Sequence, residues 1–269
     1  MPMLPVRGIR LYYEEHGNGP PVLCVHGTGS SARTWDASVS ELARAGRTIV
    51  YDRRGCARSE RSVRYNDTSV EEHADDAAAL LHSLSAEPAA VIGRSYGGGI
   101  AIDLALRYPE RVRGLVLLEA ATLGLSVQGE ALWRSLWHQV RAAAEVDMTS
   151  VGETLMRIVI GDAAWEAFPA SIQQMYADNG PAIVAELAGG YLQVNRTSLA
   201  TIAAPTLVVA ATSSSPVFRQ VADVIADAVP HSRKLIVEGG HQINPAGPAI
   251  LKFLEDLPGQ GRRPGTRGG

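Results

Sequence analysis

Short apolar runs, each closed by glycine or a turn residue, alternate along this chain with segments whose apolar positions recur every third or fourth residue. The runs predict buried parallel strands and the periodic segments predict helices laid across them. "IRLYYEEHG" alternates as an early strand, and "PPVLCVHG" is a buried one ended by glycine. A helical stretch around residues 35–44 leads to the strand "RTIVYD". "SVEEHADDAAALLHSL" reads as an amphipathic helix with Ser69 as its N-cap. The strand "AAVIG" then runs into a helix over "SYGGGIAIDLALRY", stopped by Pro109, and "VRGLVLLEA" is the next strand.

Strand signals cease between 122 and 197, where only helical patterns remain, and three of the four tryptophans, Trp133, Trp137 and Trp165, fall there. This predicts a helical lid over 122–197 inserted into an α/β core made of 1–121 and 198–257. The alternation resumes at "PTLVVAA" and continues through a helix near 217–229 and the strand "RKLIVEGG". "PAILKFLEDL" closes the core as a helix, and the Gly-, Pro- and Arg-rich tail 258–269 is expected to be disordered. With 269 residues the chain can bury one large core.

Composition narrows the function. A formal net charge of −3 without a long basic run in the folded region gives no electrostatic footprint for nucleic acid. No N-terminal basic-then-apolar signal or bilayer-length apolar run is visible, so a cytoplasmic protein without a membrane role is expected. Cys24 in an apolar strand and Cys56 in a polar loop read as a core residue and a free thiol.

The chemistry concentrates at "AAVIGRSYGGG", where a strand passes through Gly93-Arg94-Ser95-Tyr96-Gly97 into a helix. This is the G-x-S-x-G nucleophile-elbow pattern, in which a strained turn projects the serine and a side chain at either glycine would collide with neighbouring backbone. A helix N-cap serine in a glycine-rich turn is the plainer alternative. Among seven histidines, His241 alone follows the last strand, placing it over the same sheet edge as Ser95. His16, His73, His82, His138 and His231 read as surface or packing residues. The "VHGTG" loop after His26 offers backbone N–H groups for an oxyanion, from Gly27 or Thr28 with Tyr96 as second donor.

Taken together, "VHGTG", "YDRRGCARS", "GRSYGG" and "GGHQIN" resemble the α/β-hydrolases in motif and order over about residues 6–257. The resemblance implies an eight-stranded, mostly parallel sheet with a helical lid between strands six and seven. It also implies hydrolysis through an acyl-enzyme with no cofactor and no metal, and a structural task for Asp52 and Arg53. The triad order in such proteins is Ser, acid, His, yet the loop after "PTLVVAA" holds only Thr and Ser. Glu119, ending "GLVLLEAA" beside the nucleophile strand, is the expected acid, because a carboxylate closing an apolar strand is costly without a partner. An arginine could be that partner instead, and Asp223 ranks second as the acid.

A glutamate after strand six, a "LYYE" opening, the acid-free "AAT" loop and the lid segment "AAWEAF" are similar to the fungal lactonases that open zearalenone. The elbow "GRSYG" and His26, where those enzymes have aspartate, depart from them. Trp133, Trp137, Met156, Trp165, Phe168, Tyr191 and Phe218 are expected to wall a pocket for a bulky apolar or aromatic ester or lactone, with Trp165 preferred and His138 or Tyr191 able to bond a substrate oxygen. A simple carboxylesterase and a carbon–carbon bond hydrolase use similar residues. Two further rivals are a ligand receptor of this fold and a dinucleotide-dependent oxidoreductase, the latter from G-x-G-x-x-A in "VLCVHGTGSSA". The partner expected is a small molecule, and the sequence leaves the oligomeric state open, a homodimer included.

Overall fold

The apolar runs become eight strands: β1 (Met3–Val6), β2 (Ile9–His16), β3 (Pro21–Val25), β4 (Arg47–Tyr51), β5 (Ala89–Arg94), β6 (Val112–Leu118), β7 (Thr206–Ala211) and β8 (Ser232–Val237). In this computed structural model, which describes residues 2–62 and 67–258, they form one sheet in the order β1-β2-β4-β3-β5-β6-β7-β8. β1 pairs antiparallel with β2 and β2 with β4, and every later pairing is parallel. β1 is the strand that the pattern does not announce. Its four residues include Pro5 and pair only with β2, a sheet edge being where a missing N–H is tolerated.

Helices α1 (Val39–Ala45), α2 (Val70–Ser83) and α3 (Tyr96–Arg107) lie among the first strands. Six more, α4 (Val127–Val146), α5 (Val151–Ile160), α6 (Asp162–Glu166), α7 (Ala170–Asp178), α8 (Gly180–Gly189) and α9 (Arg196–Leu199), fill the insertion between β6 and β7. α10 (Pro216–Ala228) and α11 (Pro248–Asp256) complete the chain. The helix expected at 35–44 is divided into a 3-10 turn, Ala32–Trp35, and α1, because Ser38 N–H bonds Trp35 O and the helix restarts there. Ser69 caps α2 as its position predicts, its Oγ accepting from Glu72 N–H at 3.1 Å.

The twofold alternation of each strand sorts the core into two layers. Ala89, Val91, Leu115 and Leu117 face α2, α3 and α10, whereas Ala90, Ile92, Val116 and Leu118 face α1 and α11. The inserted helices bury a third cluster of their own around Leu136, Leu155, Trp165, Tyr176 and Ile183. The tail 258–269 lies outside the described residues from position 259 onward. Among the described residues no helix is long and apolar enough to cross a membrane. Both cysteines are buried and free, Cys56 included, since its loop is covered by the insertion and its Sγ lies 3.6 Å from Glu186 Oε1.

Candidate active site

β5 delivers Ser95 into a tight turn with φ 52° and ψ −119°, a left-handed backbone that a non-glycine residue adopts only under constraint. The neighbouring glycines make that turn feasible. A Cβ on Gly93 would stand 2.4 Å from Gly97 O, and one on Gly97 would stand 2.3 Å from Val25 O. Around Ser95 the elbow is buried, while Ser95 itself is partly exposed and lines the cavity under the insertion. Its backbone is fixed from β6, with Ser95 N–H bonding Leu118 O at 3.0 Å and Ala121 N–H bonding Ser95 O at 2.9 Å.

Glu119, one of the two residues between those anchors, also has a left-handed backbone, φ 46°, and turns its side chain to His241. His241 Nδ1 lies 2.6 Å from Glu119 Oε2, Ser214 Oγ donates to the same oxygen at 2.7 Å, and Ala211 N–H donates to Oε1 at 2.9 Å. Burial works to raise this carboxyl, but the bonds from His241, Ser214 and Ala211 outweigh it and hold the group below its ordinary value. Glu119 therefore stays ionised and fixes His241 with Nδ1 protonated and Nε2 open. The His241 ring packs against Phe218 with centroids 4.4 Å apart, and both residues line the same cavity as Ser95. Asp223, second in rank for the acid, projects from α10 and pairs with Lys234, both well exposed.

The loop after β3 closes the other side. A Cβ on Gly27 would stand 3.2 Å from Ser95 Cβ, a tight contact that glycine avoids as the loop approaches Ser95, and Gly27, Thr28 and Tyr96 all line the cavity. His26 turns inward rather than toward the cavity. It accepts from Arg53 N–H through Nε2 and donates through Nδ1 to Gly27 O, each at 2.9 Å. Arg53 supports the same loop, with Nη2 2.9 Å from Gly27 O, and Asp52 accepts from Ala32 N–H at 2.7 Å and pairs with Arg58. Asp52 is thus committed to structure, and the glycine loop opens a single 3-10 turn rather than an α-helix. The helix N-terminus and free acid of a dinucleotide site are absent from this loop.

The cavity has a polar floor and an apolar roof. Thr28, Ser30, Thr34, Arg94 and Gln242 accompany Ser95 and His241 below, and Leu123, Trp133, Leu136, Leu155, Met156, Val159 and Leu187 come from above. Of the pocket residues expected from the sequence, Trp133, Met156 and Phe218 reach it. Trp165 does not. It is packed inside the insertion against Phe168 and Tyr176, with ring centroids 6.0 Å away in each case, so its apolar surface is spent on the lid's own core. Trp137 packs partly buried against that core, Tyr191 stands behind Trp133 at 5.2 Å, and His138 is exposed.

Sequence reasoning missed the polar residues that join insertion and core. Asn179 Nδ2 donates to Gly29 O at 2.9 Å and Ser30 O at 3.1 Å, and its Oδ1 accepts from Ala57 N–H at 2.7 Å. Glu186 on α8 forms a 2.8 Å ion pair with Arg53 in which both side chains are fully buried. The signal was a carboxylate inside the apolar run "IVAELAGG", the same kind of signal that marks Glu119.

Residues 20–248 match the family model for the alpha/beta hydrolase fold. The chain belongs to the α/β-hydrolase family. Within this family it is 29% identical over 262 residues, 91% of its length and 92% of the relative's, to a proposed carbamate hydrolase, RutD, of Azorhizobium caulinodans. It spans about half the length of other curated relatives, among them the 2-hydroxymuconate semialdehyde hydrolase of Pseudomonas sp. strain CF600, 39% identical over 134 residues, 47% of this chain and 46% of that one. The solved structure of Est816, described as an N-acyl homoserine lactone degrading enzyme, superposes with a TM-score of 0.73 at 25% identity, covering 94% of this chain and 98% of that one. As an α/β-hydrolase the chain carries its elbow, histidine loop and insertion at the strand ends where the sheet places them.

Proposed function

We propose that this α/β-hydrolase cleaves small carboxylic esters or lactones through an acyl-enzyme on Ser95. The observation that carries the reading is the 2.6 Å contact between His241 and Glu119, with His241 and Ser95 lining one cavity. Ser95 Oγ attacks the carbonyl carbon while His241 Nε2 takes its proton, and Glu119 stabilises the imidazolium that results. The tetrahedral oxyanion lies against the N–H groups of Gly27 or Thr28 and of Tyr96. His241 returns the proton to the leaving oxygen, and water, deprotonated in turn by His241, releases the acid and restores Ser95.

A general carboxylesterase or small-lactone hydrolase fits this cavity better than a dedicated zearalenone lactonase. The narrower reading leaned in part on the lid segment around Trp165, which faces the lid's interior, while the likeness to Est816 supports lactones as substrates. Carbon–carbon bond hydrolysis is the second reading, favoured by the local likeness to the 2-hydroxymuconate semialdehyde hydrolase.

The test is a panel of 4-nitrophenyl esters, homoserine lactones, zearalenone and a vinylogous 1,5-diketone, assayed with wild type, Ser95→Ala and Glu119→Gln. Ester or small-lactone turnover that disappears in Ser95→Ala and falls on the order of 10³-fold in kcat in folded Glu119→Gln is expected. Turnover that survives Ser95→Ala would overturn the mechanism, and cleavage of the diketone alone would favour the second reading.

A further inference from the structure

Arg94 is a buried cation on the cavity floor, 6% exposed, with no anion opposite it among the described residues. Its three hydrogen bonds all go to neutral oxygens: Thr34 Oγ1 at 2.8 Å, Gln242 Oε1 at 3.3 Å and Ile243 O at 2.5 Å. The guanidinium lies 4.8 Å from the centre of the Trp35 ring, and its buried Nε has no acceptor. Arg53 and Arg54, similarly withdrawn from solvent, face Glu186 and Asp76. Arg113 also lacks a carboxylate among the described residues, but it stands at the opposite end of β6, away from this cavity.

Neutral acceptors and an indole face offset part of the cost of burying a guanidinium, and an anion offsets more. Burial pulls the Arg94 pKa down to about 10, which still leaves the group charged at neutral pH. Thr34, Arg94 and Gln242 open onto the same space as Ser95, whereas the roof over them is apolar. A ligand that satisfied both walls would carry an apolar body toward Trp133 and Met156 and an anionic oxygen toward Arg94, where opposite charge adds to a hydrogen bond that a neutral oxygen now accepts.

We propose that Arg94 binds a carboxylate carried by the substrate, so that Ser95 acts on acidic esters or lactones: molecules with an apolar body, one scissile ester and a second, free carboxylate. This rests on the ester-hydrolase reading of the same cavity. Arg94 also ties down the loop that follows His241 through Gln242 and Ile243. A purely structural arginine would hold that loop without any preference between charged and neutral ligands.

The experiment uses two probes of equal chain length, monomethyl suberate and dimethyl suberate, titrated calorimetrically into Ser95→Ala protein and assayed for turnover by wild type. The monoester is expected to bind at least about tenfold more tightly than the diester, the strength of one hydrogen bond to a charged group. Arg94→Met should bring the two affinities together, and Arg94→Lys should keep part of the difference. Comparing two probes on one variant divides out any disturbance of His241, and the wild-type arm needs no Arg94 variant to fold. Equal or tighter binding of the diester overturns the proposal. Cleavage of both esters without preference leaves the hydrolase reading standing and removes the anion site. Preferential binding without turnover of either ester keeps the anion site and overturns its use in cleaving acidic esters.

Discussion

Ser214 Oγ donates at 2.7 Å to Glu119 Oε2, the oxygen that also holds His241 Nδ1 at 2.6 Å. The loop after β7, which carries no carboxylate, thus contributes the hydroxyl that steadies a carboxylate arriving from β6. Removing that hydroxyl with Ser214→Ala takes away a bond that lowers the Glu119 pKa, so the carboxyl should protonate at higher pH. The acid limb of the kcat profile should move upward in pH, and kcat at neutral pH should fall about tenfold, the worth of one hydrogen bond to a charged group. A pH–rate profile superimposable on wild type would remove Ser214 from this role.

The buried pair of Arg53 and Glu186 joins core to insertion with no solvent at either side chain. Glu186→Gln leaves the guanidinium without its counter-charge and should destabilise the protein by about 3–5 kcal/mol. Replacing both members, as Arg53→Met with Glu186→Leu, should recover part of that loss, because the pair's desolvation cost goes with it. Urea unfolding of the three proteins measures both effects, and a neutral Glu186→Gln would show that the pair does not hold the insertion down.

Acid should unfold this protein in two ranges. Burial, reinforced by the Arg53 charge, holds His26 and His73 well below 6.5, so both are neutral when folded while the unfolded chain takes up protons there. Their contribution is full above pH 6.5 and declines as pH falls below it, with a slope of at most about 1.4 kcal/mol per pH unit per histidine. Glu119, whose carboxyl is held below 4.5, contributes above that value and loses its contribution lower still. Unfolding free energies taken from about pH 7.5 to about pH 5 should show the histidine slope roughly halved in His73→Phe. An unchanged slope would mean that His73 is not titrating on unfolding.

How far the sequence could be read depended on whether a residue's environment was local. Gly93, Gly97 and the strand before them announce the elbow, because the steric demand lies within a few residues. Glu119 was legible as a charge ending an apolar strand, and Glu186 and Arg94 showed the same sign, each beside or within an apolar run. The partners of Glu186 and Arg94 come from distant segments that no motif ties to them, so for these two the sign was visible and the meaning was not. Trp165 failed for a different reason. Helical periodicity says which residues share a face, but in an insertion with its own core it does not say whether that face meets the cavity or another lid helix. β1, short and containing proline, lacked any pattern to read.

Two backbone bonds bracket Glu119, one from Ser95 N–H to Leu118 O and one from Ala121 N–H to Ser95 O, so the nucleophile and the acid are riveted together on a single peptide span. The insertion departs from the far side of that rivet. Everything from residue 122 to the start of β7 is therefore a removable roof as far as the Ser95–Glu119 alignment is concerned. A chimera that exchanges this roof for that of another family member, with Asn179 and Glu186 grafted at equivalent places, would change what enters the cavity without re-machining the parts that meet beneath it.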